Sequence, residues 1–194
     1  MKKRKISPIL IIGVGFILLS GIFMLVFQIR VKMGGGKCER VVQQMDEILP
    51  DPTPGMVGTV ALSMPVLEIE GKDYCAMLEI PAFGVRLPVT SRWENKKLLE
   101  APARFWGSTY NHSLVIGGSD FAEQFSFCDQ IEHGTLVEIT DMTGARFVYT
   151  VSRIDRAKHA EASWLQQEEF ALTLFCRDLY TLEYVAVRCV SCYK

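Results

Sequence analysis

The sequence predicts a mostly β domain, a barrel or a sandwich, carried behind a membrane-spanning helix. Three observations lead there. Near the N-terminus, Ile9 to Phe27 (ILIIGVGFILLSGIFMLVF) is a run of 19 residues without a charge. Beyond residue 57, apolar residues fall in short runs of about five, bounded by Gly, Pro and Asp turn signals. Such spacing suits a barrel or sandwich and not a doubly wound parallel sheet. At 194 residues the chain has room for one domain and an appendage. Its 21 Lys and Arg against 22 Asp and Glu give a net charge of −1, which excludes a basic nucleic-acid binder. The balance is uneven. Residues 1–30 hold five bases and no acid, so residues 31–194 carry a net of −6.

The elements follow in chain order. Residues 1–5 form a basic tip, and residues 6–29 are expected to be a transmembrane signal anchor. As a helix rising about 1.5 Å per residue, the apolar run spans roughly 28 Å, close to a bilayer's hydrocarbon thickness. It is longer than the apolar region of a cleaved signal peptide, and Gln28-Ile29-Arg30-Val31-Lys32 follows it in place of a small-residue cleavage site. Lys2, Lys3, Arg4 and Lys5 precede the helix, and Arg30, Lys32, Lys37 and Arg40 follow it. The tighter leading cluster and the α-amino group favour a cytoplasmic N-terminus and an external body. Residues 30–56 read as a stalk. Gly34-Gly35-Gly36 is its flexible part, and Val41 to Leu49 a short amphipathic helix ended by Pro50, Pro52, Pro54 and Gly55.

Residues 57–194 are the expected β domain. Tyr74 to Ile80 and Val85 to Val89 read as a hairpin across Pro81 to Gly84. Glu94 to Glu100 reads as a short helix closed by Pro102, and Ser113 to Ile116 as a strand stopped by Gly117-Gly118. Thr135 to Thr140 and Arg146 to Ser152 flank the turn Asp141-Met142-Thr143-Gly144. Ala160 to Gln167 forms one or two helical turns, and Phe170 to Phe175 and Glu183 to Val190 are the last two strands.

Four of these segments carry a family resemblance. Met77 to Val89 (MLEIPAFGVRLPV) resembles the opening hairpin of sortases, the membrane-anchored cysteine transpeptidases of Gram-positive surfaces. Ser113 to Asp120 (SLVIGGSD) sits where sortases have a strand ending in VIAGH. Phe125 to Ile139 (FSFCDQIEHGTLVEI) resembles the segment that follows it, and Leu172 to Cys189 (LTLFCRDLYTLEYVAVRC) the two closing strands. Order and spacing match over residues 66–190. The resemblance implies an eight-stranded β-barrel with short helices, an extracytoplasmic body, and a sorting-signal-like peptide or a surface protein as partner.

It also implies a catalytic Cys, His and Arg, and there the sequence departs. After VIGG the His position holds Ser119, which has no titration near neutral pH. His112 lies at the other end of the same strand, roughly 23 Å away at about 3.3 Å per residue. His133 and His159 read as solvated loop residues. The Arg position falls on Tyr184, which lacks a charged fork of donors, and Arg188 belongs to another position. At the Cys position two alignments stay open. Without a gap, Arg177 takes the nucleophile's place and Cys176 faces away from the groove, because a one-residue shift reverses a strand side chain. With one residue deleted, Cys176 is the nucleophile. The gap-free version preserves the length to the last strand and is preferred. The expected protein is a degenerate sortase-like binding or accessory protein. The alternative is an active transpeptidase acting through Cys176.

Other features imply less. The six cysteines (38, 75, 128, 176, 189 and 192) are an even number, but Cys75, Cys128 and Cys176 lie in apolar runs and read as buried thiols. Cys189-Val190-Ser191-Cys192 is a lone C-x-x-C. Gly117-Gly118-Ser119-Asp120 lacks the closing Gly of a nucleophile elbow. Glu161, Glu168 and Glu169 read as a solvated surface, and Trp93, Phe105, Trp106, Phe121, Phe125 and Phe127 as core or groove lining. No cofactor and no metal are expected.

Overall fold

Strand alternation builds the body. In the computed structural model, which describes residues 8–55, 63–121 and 124–192, α1 (Pro8–Ile48) leads into β1 (Thr53–Pro54), β2 (Leu67–Ile69), β3 (Lys72–Ile80), β4 (Val85–Thr90), β5 (Ala103–Trp106) and β6 (Leu114–Gly117). Then come β7 (Leu136–Asp141), β8 (Ala145–Ala157), the single-turn α2 (Ala162–Leu165), β9 (Leu172–Arg177) and β10 (Tyr184–Ser191). Eight strands pair in the circuit β8-β10-β9-β6-β5-β4-β3-β7 and back to β8, closing a barrel that leaves no long free edge. The seam at β4–β5 is the thinnest, with one bridging pair, Thr90 and Ala103. β1 and β2 are short additions along β8 and β3.

Alternate residues fill the barrel. Leu78 and Ile80 of β3, Leu114 and Ile116 of β6, Val137 and Ile139 of β7, and Leu172, Leu174 and Cys176 of β9 meet there with Val185 and Val187 of β10. The expected hairpin across Pro81 to Gly84 is present as a 3₁₀ turn closed by Gly84 at φ 61°, a left-handed conformation that glycine adopts without strain. The segment expected as a helix at Glu94 to Glu100 contains a 3₁₀ turn at Asn95–Lys97.

The N-terminal region departs from the expected stalk. α1 runs unbroken for 41 residues, straight through Gly34-Gly35-Gly36. Each glycine costs a helix about 1 kcal/mol relative to Ala. What offsets the cost is burial: Cys38, Val41, Val42 and Met45 form a stripe at helical spacing, and the last three pack on Ile69, Tyr74 and Met77. Burying one such side chain contributes about 1.5–3 kcal/mol. Arg86 of β4 adds a fork, donating to both oxygens of Asp46 at 2.7 and 3.0 Å and to Glu79 at 2.8 Å. The segment expected as a linker is therefore partly core. The basic tip at residues 1–5 lies outside the described residues.

Further up the helix, Ile12–Ile29 has a mean hydropathy of 2.4 and none of it is buried against protein, so the helix is long and apolar enough to cross a membrane. Near its end, Phe27 meets Phe121 edge-on, with ring centroids 5.5 Å apart.

Candidate functional site

β6, β9 and β10 lie side by side, and their register gathers the singled-out residues at one end of the barrel. β6 runs parallel to β9, with Gly117 opposite Phe175, and the N–H of Gly118 donates to the carbonyl of Phe175 at 3.0 Å. Ser119 thus leaves the sheet beside the end of β9. Across the antiparallel pair, Arg177 is opposite Tyr184 and Cys176 opposite Val185. Ser119, Arg177 and Tyr184 come to one rim.

The faces separate them. Leu172, Leu174 and Cys176 point into the barrel, while Thr173, Phe175 and Arg177 point out. Cys176 is 2% exposed. It lies beside Cys128, whose thiol is pushed well above its ordinary range by burial and by the hydrogen bond to Cys176. Arg177 is exposed, its Nε donating to the carbonyl of Leu182 at 3.3 Å and its guanidinium 5.9 Å from the centre of the Tyr184 ring.

Ser119 is tied down on every polar atom. Its hydroxyl donates to the carbonyl of Leu98 at 2.9 Å, and its N–H donates to Gln124 Oε1 at 3.1 Å. Its carbonyl accepts the N–H groups of Phe121 and Phe125 at 2.9 and 3.0 Å. Gln124 closes the knot by donating to the same Leu98 carbonyl at 2.9 Å. A hydroxyl bound to a backbone carbonyl has no base to take its proton.

Outside the sheet an aromatic stack covers this end. Trp93 lies over Phe175 at 5.5 Å and 25°, and Phe105 meets both edge-on at 5.1 and 5.6 Å. It sits on Gly117, where a Cβ would come within 2.5 Å of Trp93 and 2.7 Å of Phe175. Two clefts border this region, one of about 340 Å³ among Lys72, Ser91, Arg92, Glu94 and Glu100 beside Trp93, and one of about 640 Å³ between α1 and β4 that reaches Gln124.

The remaining singled-out residues stay apart. His112 caps the 3₁₀ turn before β6, at the end of that strand remote from Ser119, and His133 and His159 are exposed. All six cysteines are free, and in the C-x-x-C pair Cys189 is buried while Cys192 is exposed. Glu169 pairs with Arg153 at 3.1 Å.

Two features escaped the sequence. Arg188, on the same face of β10 as Tyr184, is fully buried. It donates to Asp155 and Thr173 at 3.1 and 3.2 Å and to the carbonyls of Leu165 and Trp164. Its fork is therefore spent in holding α2 to the sheet. The signal was its alternation with Tyr184 and Ala186 in EYVAVRCV. The second feature is a carboxylate group, Asp120, Asp129 and Asp178, whose oxygens lie within 4.8 Å of one another. Arg156 bridges two of them, reaching Asp129 at 3.0 Å and Asp178 at 3.1 Å. Their spacing in the chain gave no hint of this.

The barrel is similar to those of solved sortases. Sortase A from Corynebacterium diphtheriae (a lid mutant) matches with a TM-score of 0.53 at 17% identity, over 62% of this chain and 70% of that one. Sortase C1 from Streptococcus agalactiae matches with a TM-score of 0.55 at 18% identity, over 66% and 72%. Sortase C from Clostridium perfringens, solved with the C-terminal cell wall sorting motif, matches with 0.51 at 17%, over 59% and 68%. The chain matches no protein-family model and no curated protein. At such identities the likeness establishes the fold, a sortase-like barrel.

Proposed function

With the sortase-like barrel as premise, we propose that this chain is a membrane-anchored protein without transpeptidase activity. Its N-terminus is cytoplasmic and its barrel lies outside the cell. Its outer rim binds a peptide or a surface protein, as an accessory to sorting. The observation that supports this reading is the register of β9, which turns Cys176 inward and Arg177 outward. A thiol attacks as its thiolate, which needs an accessible, electropositive surrounding. Cys176 has instead an apolar interior.

The neighbouring positions agree. Where the resemblance places a His, Ser119 is bound to backbone, and where it places an Arg, Tyr184 offers a single hydroxyl. Losing a general acid–base group costs about 10²–10⁴-fold in rate, and losing one oxyanion donor about 10²–10³-fold. Binding survives such losses. The exposed guanidinium of Arg177, flanked by Tyr184, suits a carbonyl or carboxylate of a bound peptide. One similar structure holds a sorting motif, and a peptide of that kind is the ligand class proposed here.

The test incubates the full chain in detergent with sorting-motif peptides and reads intact mass and binding. We expect no thioester adduct, together with saturable binding that weakens in Arg177→Ala. A peptide adduct that disappears in Cys176→Ala would overturn the reading and make the chain an active transpeptidase.

A further inference from the structure

The turn between β9 and β10 holds three large apolar side chains out into solvent. Leu179 is 51% exposed, Tyr180 93% and Leu182 57%. Chance floppiness does not produce this, because the turn is stapled. The carboxylate of Asp178 accepts the N–H groups of Tyr180 and Thr181 at 2.7 and 3.1 Å. The N–H of Leu182 donates to the carbonyl of Asp178 at 3.0 Å, and that of Asp178 to the carbonyl of Glu183 at 2.9 Å. Leu182 adopts φ 61°, a conformation a leucine rarely takes. A short, strained, fully bonded turn that presents Leu, Tyr and Leu needs something apolar to meet.

The fold says what lies there. Leu179 donates its N–H to Asp120 at 3.1 Å. The next residue, Phe121, packs edge-on against Phe27. Phe27 belongs to the last turns of the apolar span Ile12–Ile29. The turn is therefore tied, through one hydrogen bond and one ring contact, to the level at which α1 leaves the bilayer. The opposite pole of the barrel is remote. From Phe27 to Ile48 the helix rises about 31 Å, and beyond it Thr53 bonds to Gly144 in the β7–β8 turn. Tyrosine flanked by leucines is a composition suited to the headgroup boundary. Lys32, just past the span, is an exposed cation at the helix end where lipid phosphates would lie. The nearby carboxylates of Asp129 and Asp178 are already paired with Arg156.

We infer that the β9–β10 turn is a membrane contact: Leu179, Tyr180 and Leu182 enter the headgroup boundary of the bilayer that α1 crosses. The inference rests on the membrane-anchor reading and deepens it. The rim bearing Ser119, Arg177 and Tyr184 then opens at the lipid surface, where its ligand class is a peptide that is itself tethered to the membrane.

The test uses the full chain reconstituted in phosphatidylcholine–phosphatidylglycerol vesicles. Three single variants place the photoreactive p-benzoylphenylalanine: Ile17→p-benzoylphenylalanine within the span, Tyr180→p-benzoylphenylalanine in the turn, and Thr143→p-benzoylphenylalanine at the far pole. All three side chains are exposed, so the fold tolerates the change, and circular dichroism checks it. We expect lipid adducts by mass at positions 17 and 180 and their loss at 143. Adducts at 17 with none at 180, a crosslink from 180 to a second copy of the chain, or equal lipid adducts at 180 and 143 would each overturn the inference while leaving the anchor in place. Absence of lipid at 17 would overturn the anchor reading itself, and the inference with it.

Discussion

Cys176 and Arg177 are adjacent in the chain and lie on opposite sides of a sheet. That one-residue difference puts a buried thiol on one face and an exposed cation on the other, because a strand side chain changes face at each step. It leads to a direct expectation for Arg177→Cys. The new thiol stands on the outer rim and reacts with iodoacetamide in the folded protein well before Cys176 does. It still yields no turnover of a sorting-motif peptide, because Ser119 and Tyr184 remain and a missing acid–base group alone costs about 10²–10⁴-fold. Mass mapping and a peptide-cleavage assay read the two halves of that expectation. The sequence made these residues visible but left the register open between two alignments. A one-residue slip costs nothing in local propensity, so the face that Cys176 takes depends on the pairing of β9 with β10, where it lies opposite Val185. At the same rim the N–H groups of Thr181 and Tyr180, with the guanidinium of Arg156, hold the Asp178 carboxyl down to about 2 from its ordinary 3.8. The sign follows: this stabilisation of the turn is full above the ordinary value and is lost as pH falls through about 2. In an NMR titration the Tyr180 and Thr181 amide shifts should move together with a midpoint near 2. A midpoint near 3.8 would show the carboxylate is not held.

At the scale of elements, α1 is where propensity and packing disagree. Three consecutive glycines argue for a break, and the helix continues because Val41, Val42 and Met45 are anchored on β2 and β3. A Cβ at Gly36 meets nothing within 4 Å, so Gly36→Ala should stabilise the protein by about 1 kcal/mol, read as a raised unfolding midpoint. No change would mean that residue 36 lies in a flexible linker. Met45 is fully buried, and Met45→Ala should cost about 2–5 kcal/mol. The strands were legible to different degrees. FALTLF and EYVAVRCV announce β9 and β10 by their density of β-branched and aromatic residues. β2 and β5, with three and four residues, are too short for alternation to register, and β5 carries Arg104 and Trp106. The Trp93–Phe105–Phe175 stack joins residues from three separate segments, so no local pattern could show it.

The whole molecule is a barrel held against the end of its own apolar helix. Its interior sets an alkaline limit. Burial pushes the Cys75 thiol from 9.0 up to about 12, and burial with the Asp141 contact pushes Tyr110 from 10.0 up to about 12. Both groups bind protons more tightly when folded. Their contribution is whole below pH 9 and is lost as pH rises towards 12. Urea midpoints should therefore fall across that window, whereas a flat profile would mean these groups are not buried. At this scale the sequence was most informative. Strand spacing left a barrel or a sandwich open, and it was the resemblance of four segments in order that pointed to the barrel. The docking of α1 and the contact of Phe27 with Phe121 depend on distant segments and were out of reach.

Reactivity of Cys176 in the folded full chain decides most directly whether this barrel is a catalyst. Iodoacetamide alkylation followed against pH, with peptide mass mapping of each cysteine, reads it. Cys192 is exposed and should react at once, while Cys176 should stay unmodified until denaturant unfolds the barrel. Rapid labelling of Cys176 under native conditions, with an apparent pKa well below the usual thiol value of about 8.5, would mean the side chain faces an electropositive groove. The reading of Cys176 as a core thiol would then fall, and the alternative of a transpeptidase acting through Cys176 would return.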